Sequence, residues 1–298
     1  MSKKNIFLGA LPVALMVTVL MLLTAGCSSG PKIDKAAMME VKKVAVVIYT
    51  VPATIEYFDN PREHKKSALQ IAASIATADN GKQAATMAHE SFIENLNKQG
   101  LGFTVVSKAA MMNNTDFMNA SNKYVSMRME EAAKREKKKG SAAKVLGMLS
   151  ALGGGSSSAE AIGSSPEGLP EFGLAPSWNV DSALTGAPGE MDYVKAAIKA
   201  LGVDAVLVIN DPGMAFGCDA CMGGTGSATT GSAFLATMVD SDGQPIMQMQ
   251  QWFALGDGHA VMTGYVVNPL QYEGLFKGHG EKMARVFADE YKDATGKK

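Results

Sequence analysis

The sequence predicts an α/β fold, a mixed β-sheet with helices packed on it, and three observations carry that prediction. Val44 to Val51 is an almost unbroken apolar run rich in β-branched residues and ended by Pro52, the pattern of an inner strand covered on both faces. A helix-then-strand order occurs twice: Lys82 to Gln99 precedes "FTVVS" at 103–107, and Met191 to Leu201 precedes Ala205 to Asn210. Two further strand-like runs, 232–240 and 245–255, are joined by Ser241-Asp242-Gly243, and Asp-Gly between apolar runs marks a hairpin.

Taken in order, residues 28–40 are small and polar, then mixed, and read as a tether ahead of a single α/β domain over 41–298. "DNPREHKK" at 59–66 is a polar turn, and Ala68 to Ala76 reads as a short helix. In the helix from Lys82, apolar Ala85, Ala88, Phe92 and Leu96 recur every three or four residues until Gly100 stops the pattern. Ser121 to about Leu149 reads as helical, with the basic run Lys134 to Lys139 as a solvated face among Glu130, Glu131 and Glu136. The stretch "GGGSSSAEAIGSSPEGLPEFGLAPSW" opens a Gly-, Ser- and Pro-rich segment, and 153 to about 188 is expected to be a flexible insertion. "AVMTGYVV" adds a strand, and Tyr272 to Tyr291 closes the chain as an amphipathic helix through Leu275, Met283, Val286 and Phe287.

The first residues carry an address. Lys3 and Lys4 precede an apolar segment from Ile6 to Leu23, followed by Thr24-Ala25-Gly26-Cys27, the layout of a signal peptide. Gly9, Ala10 and Pro12 interrupt the apolar run, and no basic stop-transfer cluster follows it, which disfavours a membrane-spanning helix. "LMLLTAGCSSG" resembles the lipobox of bacterial lipoproteins, with Thr24 where the usual motif has leucine. The resemblance implies removal of residues 1–26 and acylation of Cys27, and several long chains hold a protein on a bilayer where one does not. Ser28, standing where an aspartate would retain such a protein in the inner membrane, implies the periplasmic face of the outer membrane.

Composition narrows the partners. The 28 Lys and Arg residues nearly balance 29 Asp and Glu for a net charge of −1, which leaves no positive field for phosphates and argues against a nucleic-acid partner. The sharpest local feature is the glycine-rich "NDPGMAFGCDACMGGTGSATTGS", read as a loop or hairpin that carries Cys218 and Cys221. Met222 stands where a c-type haem site needs histidine. A zinc site needs two more ligands, yet Cys27 is committed to lipid and His64, His89, His259 and His279 are scattered. A redox pair of the thioredoxin type sets its first thiol at a helix N-terminus, and Met222-Gly223-Gly224-Thr225-Gly226 does not start a helix. A structural disulfide in an oxidising compartment is the preferred reading.

No phosphate loop, nucleophile elbow, Ser-x-x-Lys or zinc-protease helix occurs in its required setting, so neither a catalytic set nor a cofactor is indicated. His259 lies close to Asp257 but beside a turn, where surface histidines are common. The twenty methionines could suggest copper(I) ligation; spread over helices and strands they read as core fillers.

The early "KKVAVV" at 42–47 and the late "GVDAVLV" at 202–208 resemble the small α/β domain of envelope proteins such as the TolB N-terminal domain, the curli-secretion lipoprotein and the lipoprotein activators of penicillin-binding proteins. The likeness covers about 41–110 and 190–294 and implies protein contacts, not catalysis. The expected function is therefore a lipid-anchored, non-enzymatic binding or assembly module that meets the membrane through its lipid and other envelope proteins through its body. A periplasmic redox or metal-handling protein using Cys218 and Cys221 is the alternative, and self-assembly into a homo-oligomer is a third reading.

Overall fold

The computed structural model describes residues 31–58, 80–138, 163–176, 180 and 182–296. The chain divides into two compact units, 1–30 and 31–298, and all described residues belong to the second. The expected signal segment, Cys27 and the helix expected at Ala68 to Ala76 thus lie outside the described residues.

In chain order the elements are β1 (Lys32–Ile33), α1 (Lys35–Glu40), β2 (Lys43–Thr50), α2 (Gly81–Asn97), β3 (Thr104–Val105), α3 (Lys108–Met112), α4 (Thr115–Lys138), α5 (Glu190–Leu201), β4 (Ala205–Asn210), β5 (Ala215–Met222), β6 (Thr225–Asp240), β7 (Pro245–Phe253), β8 (Ala260–Thr263), β9 (Val266–Val267), a 3-10 turn (Pro269–Gln271) and α6 (Tyr272–Thr295). The nine strands among the described residues form one mixed sheet whose main path runs β1-β7-β6-β4-β2-β3, the α/β class that the sequence predicts. β2 is parallel to β3 and to β4, whereas the steps from β4 through β6 and β7 to β1 are antiparallel.

Two crossovers leave the central β2 region in opposite directions. The chain passes from β2 through α2 to β3, then returns past β2 through α4 and α5 to β4. Right-handed crossovers running in opposite senses place their helices on opposite faces of the sheet. Accordingly α2 packs on α6, and α4 packs on α5. β2 and β4, covered on both sides, are buried from Val44 to Thr50 and from Ala205 to Asn210. Met38, Met111, Met214, Met238, Met247, Met249, Met262 and Met283 are buried in the core, as gap-fillers are.

The α2–α6 contact is close because both helices present small residues. Ala84, Ala85 and Ala88 are fully buried on α2. A Cβ on Gly280 of α6 would stand 2.2 Å from the Ala88 carbonyl oxygen, so only glycine fits there.

Several expectations need correction. Residues 32–40 are not a tether: β1 pairs with β7, and the Asp34 carboxylate accepts from the amides of Ala36 and Ala37 to start α1. The expected flexible insertion is packed where it is described, because Leu169, Phe172, Ala175, Ala183 and Ala187 are buried. Phe172 stacks at 4.8 Å on Tyr124 of α4. The helix expected from Ser121 begins at Thr115, capped by Asn114, whose Oδ1 accepts from Phe117 N at 2.9 Å. The glycine-rich stretch takes the hairpin form, one of the two expected for it, with Gly223 and Gly224 at φ 57° and 77° in the two-residue turn; the difference is β6, which begins at Thr225 and not at 232. "AVMTGYVV" makes two strands, not one.

Candidate functional site

In open α/β sheets ligands bind beyond the carboxyl ends of the strands at the point where strand order reverses. Here that point lies between β2 and β4, and the sequence ends both strands alike. Thr50 and Asn210 are register partners, and two residues beyond each stands a proline, Pro52 and Pro212. Proline offers no N–H to extend a ladder, so the two chains part at one level and open a crevice.

The crevice is a cleft of ≈ 430 Å³. Its walls come from three segments: Pro52 to Phe58 after β2, Leu174 to Pro176, and Pro212 to Ala215 after β4. Among the described residues of the lining apolar groups dominate, with Leu174, Met214 and Phe58 beside the three prolines and with Glu56 as the one carboxylate.

Each wall is held in place by buried hydrogen bonds. The Asn210 side chain clamps the insertion over the sheet: Nδ2 donates to the carbonyls of Gly173 (3.0 Å) and Ala183 (3.4 Å), and Oδ1 accepts from Ala175 N (3.0 Å). Val51 and Ser164 exchange both backbone bonds at 2.8–3.0 Å. The 52–58 wall is fixed at its middle by Asn80, which bonds both backbone groups of Ile55, and at its end by the Glu56–Phe216 and Phe58–Phe216 backbone bonds. Replacing Asn210 with alanine is expected to leave three buried backbone groups unpaired. That should cost about 2–3 kcal/mol and raise hydrogen exchange selectively over 163–183, which mass spectrometry reads directly.

Behind the β4 wall lies a polar set that the sequence reading missed. Asp211 Oδ2 accepts from Ser232 Oγ at 2.9 Å and from His279 Nε2 at 3.0 Å. Asp211, Ser232 and His279 are all 0% exposed and tie β4, β6 and α6 together. The residue types are those of a hydrolase triad, but the arrangement is not. A triad needs the imidazole between hydroxyl and carboxylate, whereas here the carboxylate stands between the other two, so the serine's proton faces Asp211 and not His279. The nearest sequence signal was "GHG" at 278–280, where the two glycines let α6 approach closely enough to deliver His279.

The remaining predicted residues fall elsewhere. Cys218 and Cys221 are disulfide-bonded, with Cα atoms 5.8 Å apart, on β5. The bond spans a bulge in the β5–β6 pairing at Asp219, whose carboxylate lies 3.3 Å from His259 Nδ1 on the surface. His259 thus pairs with Asp219 and not with Asp257, which meets Arg285. So small a ring stabilises by about 2 kcal/mol, and the Cys218→Ser/Cys221→Ser variant is expected to lower the urea midpoint only modestly, with changes in NMR shifts confined to the β5–β6 hairpin. His89 is buried against β2, His64 lies outside the described residues, and among the described residues no three His, Cys, Asp or Glu side chains gather closely enough to hold a metal ion. No helix among the described residues is long and apolar enough to cross a membrane.

Comparison with protein-family models, with curated proteins and with solved structures found no match to this chain.

Proposed function

We propose that this protein is a lipid-anchored binding module of a bacterial cell envelope, held by Cys27 at the periplasmic face of the outer membrane and receiving its partner in the cleft between the ends of β2 and β4. The observation that carries the proposal is the cleft itself. It sits at the switch point of the sheet, its walls are fixed by Asn210 and Asn80, and its lining among the described residues is apolar with a single carboxylate. Recognition and not catalysis is the role such a lining supports, since the Ser232–Asp211–His279 set is sealed from solvent and wired with the carboxylate, not the imidazole, at the hydroxyl.

The test is in-cell crosslinking of the lipidated protein, followed by mass spectrometry, with wild type and the Cys218→Ser/Cys221→Ser variant compared. Capture of the same defined envelope proteins by both forms is the expected result. Partners held only as mixed disulfides through Cys218 or Cys221 would overturn the proposal in favour of a redox protein.

A further inference from the structure

The register of β1 says from which side the chain enters the fold. β1 pairs antiparallel with β7, Lys32 opposite Gln248 and Ile33 opposite Met247. Pro31, the residue before Lys32, therefore lies toward Met249 and not toward Pro245. That end of β7 carries Trp252, 48% exposed, and Leu255, 44% exposed, follows just beyond the strand.

Chain length then bounds the distance to the anchor. Cys27 stands five positions before Lys32, and five extended residues span at most about 18 Å. Trp252 lies four residues along β7 from Gln248, about 13 Å away at the rise of a strand. An anchor at Cys27 thus keeps this end of β7 within one short tether of the bilayer surface. A half-exposed tryptophan, with a half-exposed leucine three residues on, is the side-chain chemistry of the membrane–water interface, where an indole sets its apolar body in the boundary and its N–H toward water.

We propose that the end of β7 bearing Trp252, with Leu255 just beyond it, is the surface by which this protein lies on the bilayer that holds its anchor. The proposal rests on the lipid-anchored reading of Cys27. It also gives the cleft an orientation: Trp252 is paired with Ala233, which receives the amide of Gly213 in the cleft wall, so the cleft opens at the membrane-proximal end of the sheet.

The chain has two tryptophans, so Trp178→Phe leaves Trp252 as the sole emitter. Full-length lipidated protein isolated from cells is reconstituted into phosphatidylethanolamine/phosphatidylglycerol vesicles with and without brominated acyl chains. Trp252 emission is expected to be quenched by the brominated lipid, and the quenching to be lost when a flexible Gly/Ser spacer of about 20 residues is inserted after Ser29. Acylated Cys27 by intact mass together with unquenched Trp252, or with quenching that survives the spacer, would overturn the surface assignment and leave the anchored reading standing. An unmodified N-terminus in that mass spectrum would overturn both.

Discussion

Replacing Asp211 with alanine is expected to cost about 3–5 kcal/mol of stability, because it strands two buried donors at once. Ser232 Oγ and His279 Nε2 both donate to Asp211 Oδ2, and none of the three side chains reaches water. Against a typical folding free energy of about 5–15 kcal/mol, the loss removes a large share of the whole. The neighbouring substitutions grade the effect. Asp211→Asn keeps an acceptor of the same shape and is expected to lose less, while Ser232→Ala removes one neutral donor together with its need for a partner and should cost about 1 kcal/mol. Urea midpoints of the three variants check the order. Equal losses for Asp211→Ala and Ser232→Ala would show that the carboxylate is not the hub.

Acid is expected to destabilise the fold through His89. Its ring lies in the core with Nε2 donating to the Val46 carbonyl at 2.9 Å, where the β2–β4 register slips between Val46 and Ile48. Nδ1 meets no hydrogen-bond partner among the described residues. A second proton would therefore sit on a buried nitrogen with no acceptor, and burial lowers the imidazole's pKa to about 4. The unfolded chain takes up this proton near pH 6.5, the native chain only near 4, so stability is intact above pH 6.5 and falls as pH drops between those values. The full effect is about 3 kcal/mol. Chemical denaturation from pH 7 to 4 should trace this slope in the native protein and a flatter one in His89→Gln; parallel slopes would remove His89 as the cause.

Glu190 works in the opposite sense. Burial raises its carboxyl above the ordinary glutamate range despite bonds from the amides of Thr185, Gly186 and Ala187. Its contribution is present below the unfolded value and lost as pH rises through the folded one.

The strands and helices with strong periodicity could be read from the chain. Ala205 to Asn210 was located to the residue, and the Asp242-Gly243 hairpin joins β6 to β7 as expected. Turn chemistry left loop and hairpin both open at "CMGGTG", because glycines that suit a flexible loop also supply the two positive φ angles of a tight hairpin. The 163–188 segment defeated composition for a different reason: what orders it is Asn210, a residue on β4 whose contacts are long-range and leave no local signal. The candidate site was legible only in part. Pro52 and Pro212 each mark a strand end in the sequence, but their alignment needs the β2–β4 register, and the Ser232–Asp211–His279 set joins three elements that only the topology brings together.

The most direct measurement is site-specific photo-crosslinking of the lipidated protein in cells, with the probe placed at Thr54 or Leu174 in the cleft and, as a reference, at exposed Ala196 on α5. A binding module that works through the cleft gives a defined adduct from positions 54 and 174 and none from 196. Adducts from all three positions alike, or from 196 alone, would contradict the assignment of the cleft as the binding site.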